Sequence, residues 1–346
     1  MTLGPGLSPQ ARSNAERPAA VVCLEAEACR LIYGSELLAA LAERVQLVTA
    51  PLTAEEAHSD AHALGDVELM FGGWGSPRLD AELLDRMPSL KMVFYGSGSI
   101  RHLMTEDAWD RGVRVCSSYA ANAVPVAEFT MSQIVFCLKQ GYRCLHWYRE
   151  HHTKPAMAEL AGAYGSTVGV VSIGMIGSMV CERLKAFDVN VIAYDPYASS
   201  ATAERLGVKL VDLPELFAAS DVVTLHTPSL DATRGMITGE LIASMKRDAS
   251  LINTSRGAVI DEPALVEVLR GREDLTAVLD VTAPEPVPAG SPLWSLGNVV
   301  LLPHIAGSGG RECRRMGQYM LDELHRYLGG QPLHWEIHRE AAKIMA

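Results

Sequence analysis

The stretch that most constrains this chain is residues 168–177, Val-Gly-Val-Val-Ser-Ile-Gly-Met-Ile-Gly. A short apolar run (Val168, Val170, Val171, Ile173) passes into a turn of small residues. Apolar positions at helical spacing follow, at Ile176, Met179, Val180, Leu184 and Phe187. Strand, tight turn and helix in that order offer a helix N-terminus on which a dinucleotide pyrophosphate can dock. A second apolar run over 191–194 then ends in Asp195. An acid there accepts hydrogen bonds from ribose hydroxyls and repels a 2′-phosphate, so the pair reads as a Rossmann unit for NAD rather than NADP.

The glycine pattern is incomplete. Its first position is Ser172, leaving Ser172-x-Gly174-x-x-Gly177. Gly174 lets the backbone approach the phosphates, and Gly177 lets helix and strand pack closely. Serine is expected to make the tight turn with a negative φ, since side chains avoid the left-handed region.

Composition limits the rest. A chain of 346 residues suffices for two domains, each with its own core. A formal charge of −11 argues against nucleic acid or an anionic membrane as the main partner. No apolar run is read as reaching the roughly 20 residues that span a bilayer. Residues 1–17, loose in composition and without signal-peptide features, are expected to form a flexible tail. Seven cysteines without a C-x-x-C read as reduced, mostly buried thiols of a cytoplasmic protein.

Before residue 120 about five strand candidates (19–24, 45–49, 67–71, 90–95, 113–116) alternate with helical stretches (35–44, a capped helix opening at Thr53, 79–87, 105–111). That rhythm predicts a small flavodoxin-like parallel sheet. Two small-residue loops, at 72–76 and 96–99, follow strands and can cradle a carboxylate on backbone amides, which makes Trp74, Gly75, Ser97 and Gly98 candidate substrate contacts. Trp74 and Tyr95 hint at an aromatic or apolar pocket; Arg78, Arg101 and His102 leave room for a second anionic group. Residues 127–144 predict one long helix led by Pro125, and 146–164 a polar connection. The pairs His58/His62 and His334/His338 read as exposed helix residues rather than metal ligands, and no metal is expected.

Four later strands end in distinctive clusters. They are His226-Thr227-Pro228, Asn253-Thr254-Ser255-Arg256-Gly257, Asp280-Val281 with Glu285-Pro286 beyond it, and Pro303-His304-Ile305-Ala306-Gly307. Strand ends converging on one sheet edge form a cleft, and this one holds an arginine, a carboxylate and a histidine. Hydride transfer to a 2-keto acid needs those groups: a planar cation to hold the carboxylate, an imidazole to carry the hydroxyl proton, and an acid to orient the imidazole.

On these motifs, with Tyr194-Asp195-Pro196, the segment 120–310 resembles the D-isomer-specific 2-hydroxyacid dehydrogenase family. The resemblance implies Arg256 as substrate anchor, His304 as general acid/base and Glu285 as its partner. It implies NAD held by Gly174, Met175, Ile176, Gly177, Asp195, Pro196, Thr227, Pro228, Thr254, Ser255, Asp280 and Gly307, with Asp280 facing the nicotinamide end. It further implies a homodimer formed through the cofactor domain, and an α/β fold of two doubly wound parallel-sheet domains. The flavodoxin-like substrate domain would comprise 18–122 and 309–346, with a Rossmann NAD-binding domain inserted at 123–308. Met175 stands where the family often has arginine. Formate dehydrogenases pair their histidine with glutamine, so Glu285 argues against them. A corepressor of the C-terminal binding protein type shares the triad and stays open as a second reading.

Overall fold

A computed structural model describes residues 17–59, 61–156 and 162–345. The expected tail lies outside the described residues except for Arg17. The strands, in chain order, are β1 (Ala19–Val22), β2 (Gln46–Leu47), β3 (Leu69–Gly72), β4 (Met92–Tyr95), β5 (Arg114–Ser117), β6 (Thr167–Val171), β7 (Asn190–Tyr194), β8 (Lys209–Leu210), β9 (Val222–Leu225), β10 (Ser250–Asn253), β11 (Thr276–Leu279), β12 (Val299–Leu301) and β13 (Glu336–Ile337). The chain divides into two compact units, one running to Asn122 and resuming at Gly310, the other spanning Ala123–Gly309.

The first unit is a sheet in the order β13-β5-β4-β3-β1-β2. β1 to β5 are parallel, and β13 pairs antiparallel with β5. Alternate side chains bury against opposite faces, as parallel strands covered on both sides require. Val21, Met70, Val93 and Val115 pack with Leu83 and Leu103 on one face. Phe71 and Phe94 stack on the other, where Met316, Met320 and Leu324 of helix Cys313–Leu328 cover them. The returning C-terminal segment is pinned by Glu323, 1% exposed, which accepts the N–H groups of His334 (2.9 Å) and Trp335 (3.1 Å). Thr53 forms the expected capping box, its N–H donating to Glu56 at 2.7 Å while Glu56 N–H donates back to the Thr53 hydroxyl.

The second unit is a parallel sheet in the order β12-β11-β10-β9-β6-β7-β8. Strand order reverses between β6 and β9, and at such a switch point the carboxyl ends of the strands open a crevice. Val168, Val170, Val222, Ile252 and Val278 bury on one face under Met131, Ile134 and Leu138. Val171, Val223, Leu251 and Ala277 bury on the other under Leu216, Ile242 and Leu265.

Several expectations need correction. The helix expected from 127 begins eight residues earlier and runs over Tyr119–Leu138, with Pro125 inside it. It stops because Gln140 takes a left-handed φ of 50° and Gly141 packs onto the Phe136 ring, whose atoms lie 2.5 Å from where a Cβ would stand. A second helix, Gly141–His151, takes up the end of the expected helix and only the first part of the expected connection. The 20-residue helix is, by length and composition, apolar enough to cross a membrane, contrary to the reading above; 56% of its most apolar window is buried in the fold. Neither histidine pair shares a helix. His58 ends helix Ala54–His58 before His62, and His334 and His338 flank β13. Among the described residues no cluster of His, Cys, Asp and Glu is arranged to hold a metal. None of the seven cysteines is in a disulfide, and six of them are buried.

Candidate active site

The turn after β6 is built from three strand ends. Ser172 N–H donates to Tyr194 carbonyl oxygen at 2.7 Å, and Ile173 N–H donates to Asp195 Oδ2 at 2.9 Å. The Ser172 and Thr227 hydroxyls share a hydrogen bond of 3.0 Å. Ser172 takes a φ of +73°, not the negative value expected; the carbonyl and the hydroxyl it meets outweigh the Cβ penalty of that region. A Cβ on Gly177 would lie 2.0 Å from the Ser172 carbonyl oxygen, so only glycine fits there. Helix Met175–Leu184 starts from Gly174 with no side-chain cap, and nothing lies within 4 Å of a Cβ built on Gly174. The leading N–H groups of this helix are therefore approachable by a phosphate. Asp195 Oδ1 accepts Tyr197 N–H at 2.8 Å, so both oxygens are aimed by the backbone and keep lone pairs for hydroxyl donors. Pro196 and Met175 are exposed. These features fit a dinucleotide with free ribose hydroxyls.

The arginine, acid and histidine follow β10, β11 and β12, which are neighbours in the sheet. Asn253, fully buried, organises the first loop. Its Oδ1 accepts both N–H (3.0 Å) and hydroxyl (2.8 Å) of Ser255, and its Nδ2 donates to the Arg256 carbonyl at 2.9 Å. Thr254 pairs its hydroxyl with that of Thr130 at 2.8 Å. A Cβ on Gly257 would fall 1.9 Å from the Thr282 carbonyl carbon, so the arginine loop lies flush against the segment leading to Glu285. Arg256 donates one Nη to the Ser255 carbonyl at 2.7 Å, which turns its fork along that loop. His304 Nδ1 stands 2.6 Å from Glu285 Oε1, with both side chains about half exposed. The acid orients the ring and leaves Nε2 as the atom able to exchange a proton.

A family model described as the NAD-binding domain of D-isomer-specific 2-hydroxyacid dehydrogenase matches residues 131–306, half of the chain. The chain belongs to this family. It is 34% identical over 253 residues to D-3-phosphoglycerate dehydrogenase of Mycobacterium bovis, covering 73% of this chain and 48% of that protein. The chain thus spans about half the length of the phosphoglycerate dehydrogenases it matches. It is 32% identical over 270 residues to glyoxylate reductase of Korarchaeum cryptofilum, covering 77% of this chain and 81% of that one. Among solved structures, a phosphoglycerate oxidoreductase from Rhizobium etli superposes with a TM-score of 0.77 at 26% identity, covering 94% of this chain and 99% of that one. NAD is the cofactor of the matched domain.

Asp280, which the resemblance places at the nicotinamide end, also holds the neighbouring loop. It is 1% exposed, and its two oxygens accept Ile305 N–H and Ala306 N–H, each at 2.9 Å. Its carbonyl accepts His304 N–H at 3.0 Å. The acid therefore clamps the histidine loop, in which His304 itself takes a left-handed φ of 56°. His226 is no rival to His304: burial pushes its imidazole down to about 3, with Nδ1 enclosed and Nε2 3.1 Å from the Thr224 hydroxyl.

Trp74, Gly75, Ser97 and Gly98 belong to the first unit, just beyond the ends of β3 and β4. Trp74 is 37% exposed, and Gly75 holds a φ of 75° against the Glu25 side chain. Ser97 is buried, and the carbonyls of Ser97 and Gly98 both accept the Ser117 hydroxyl. Tyr95 is buried in the core, with its phenol pushed up by burial. Sequence reasoning passed over Thr130, the Ser172–Thr227 bond and the hub role of Asn253. Only Asn253 carried a signal, its place in the cluster after β10.

Proposed function

We propose that this protein reduces a 2-keto acid to its D-2-hydroxy acid, and catalyses the reverse oxidation, with NAD(H). The observation that carries this reading is the 2.6 Å contact between His304 and Glu285, beside the loop of Arg256. Bound NADH supplies a hydride to the carbonyl carbon. Arg256 binds the substrate carboxylate through its planar fork. Protonated His304 gives its Nε2 proton to the carbonyl oxygen, and in oxidation takes it back. Glu285 keeps the ring in place. Asp195 receives the ribose hydroxyls, and the helix beginning at Met175 receives the pyrophosphate. In the first unit, Trp74, Gly75, Ser97 and Gly98 are the candidate substrate contacts.

Matched relatives named as dehydrogenases and reductases favour turnover over corepressor-like sensing. Exposed Phe136 and Phe187, beside Met131 and Val135, give the second unit an apolar patch suited to a homodimer. Seven cysteines outside any disulfide support a reducing, cytoplasmic setting. The test is a panel of glyoxylate, hydroxypyruvate, pyruvate, phenylpyruvate and 2-ketoglutarate, each assayed with NADH and NADPH. Reduction of at least one with a preference for NADH is expected. NADPH preference overturns the role of Asp195, and binding of NADH with no turnover of any acid turns the reading toward a sensor.

A further inference from the structure

Ser172 occupies the place where a strand-turn-helix nucleotide turn calls for glycine, and it takes the backbone conformation that glycine would take. A side chain there is disfavoured, so neighbouring groups must hold it. Three contacts do so. The N–H is fixed on Tyr194 at the end of β7, the carbonyl is wedged against Gly177 of the following helix, and the hydroxyl is tied to Thr227 at the end of β9. Two of the three are backbone contacts that a glycine would keep. The hydroxyl tie is the one that exists because the residue is serine. Thr227 is 3% exposed, so without Ser172 its hydroxyl would be stranded away from water.

The tie crosses the switch point, where β6 and β9 are neighbours and the chain leaves them in opposite directions. A turn free to relax there would swing the start of helix Met175–Leu184, and with it the N–H groups that face a phosphate. Resting on the NAD reading above, we propose that the Ser172–Thr227 hydroxyl pair is a positioning device that stands in for the missing glycine. It holds the turn left-handed so that the helix start is set for the dinucleotide before it binds. Serine achieves by a bond between strand ends what glycine achieves by lacking a Cβ.

The experiment is NADH titration by fluorescence, with thermal melting, on the full chain carrying S172A, S172G, T227V, T227S or S172G/T227V. S172A and T227V should each weaken NADH binding by about 5–10-fold, the worth of one buried hydrogen bond whose partner is left unpaired. S172G should bind NADH within about twofold of the parent, because glycine holds the turn without the bond. T227V should then cost NADH binding several-fold less on S172G than on the parent, and T227S, which keeps the hydroxyl, should lose less than T227V. Parent-like binding by both S172A and T227V overturns the proposal. So does S172G binding as weakly as S172A, which would make the hydroxyl a direct cofactor contact. If S172A does not fold, T227V and T227S read the same bond from its other end. A parent chain that binds NADH but reduces no 2-keto acid defeats the proposed reaction and leaves this inference standing.

Discussion

Asp280→Asn tests whether this acid serves His304 or the cofactor. In the parent, two backbone N–H groups, of Ile305 and Ala306, each donate to a separate carboxylate oxygen at 2.9 Å in a site closed to water. Hydrogen bonds to a charged group are worth about 1.5–3 kcal/mol each. Asparagine keeps one acceptor and turns an amide N–H₂ toward the other donor. One bond is lost and one buried N–H is left without a partner, a cost of about 2–4 kcal/mol. For a unit of this size that lowers the Tm of the second unit by about 5–15 °C. The loop also loses part of what holds His304 left-handed, a conformation that costs roughly 1–2 kcal/mol in a residue with a Cβ. We expect kcat to fall at least ~10-fold as the ring leaves its productive position, with NADH affinity within about threefold of the parent. Calorimetry, NADH titration and steady-state kinetics on one preparation give all three numbers. Unchanged Tm and kcat would refute the clamp. A loss of NADH affinity equal to the loss of kcat would make Asp280 a cofactor contact first.

Arg256→Gln removes the fork while keeping some polarity, and it should raise KM and lower kcat together, as expected for an anchor that also acts in the transition state; normal kinetics would remove Arg256 from that role. His226 gives a pH signature. Burial holds its folded-state pKa near 3, below the ordinary 6.5, so the unfolded chain takes up the proton first. Its stabilising contribution is complete above pH 6.5 and is lost as pH falls from there toward 3. Between pH 7 and 5 that is about 2 kcal/mol. His226→Gln should flatten this part of the urea-denaturation profile, and an equal slope in parent and variant would contradict the assignment.

Much of the fold can be read from residue order because both sheets are parallel and covered on both faces. Such strands are continuous apolar runs, as at 168–171 and 222–225, and their ends carry the polar clusters. The grouping of Glu285 and His304 is legible for the same reason, since consecutive strands deliver their loops to one edge. What escapes the sequence depends on partners far along the chain. Ser172 turns left-handed because Tyr194 and Thr227 meet it, and nothing near Ser172 announces Thr227. The break at Gln140 depends on Gly141 seating against Phe136, where local spacing alone continues the helix to 144. Pro125 marks a helix start in isolation, but the helix begins at Tyr119, directly after β5, and carries the proline inside. The second role of Asp280 is invisible because the N–H groups it holds belong to a loop 25 residues on.

In the proposed reaction His304, aligned by Glu285, moves the proton while NADH is bound elsewhere in the same unit. Single-turnover oxidation of prebound NADH by a reducible 2-keto acid, in the parent and in His304→Ala, measures this most directly. A rate lower by ~10²–10⁴-fold is expected in the variant, the usual worth of a positioned acid/base, with NADH affinity unchanged. Equal rates in the two proteins would contradict it.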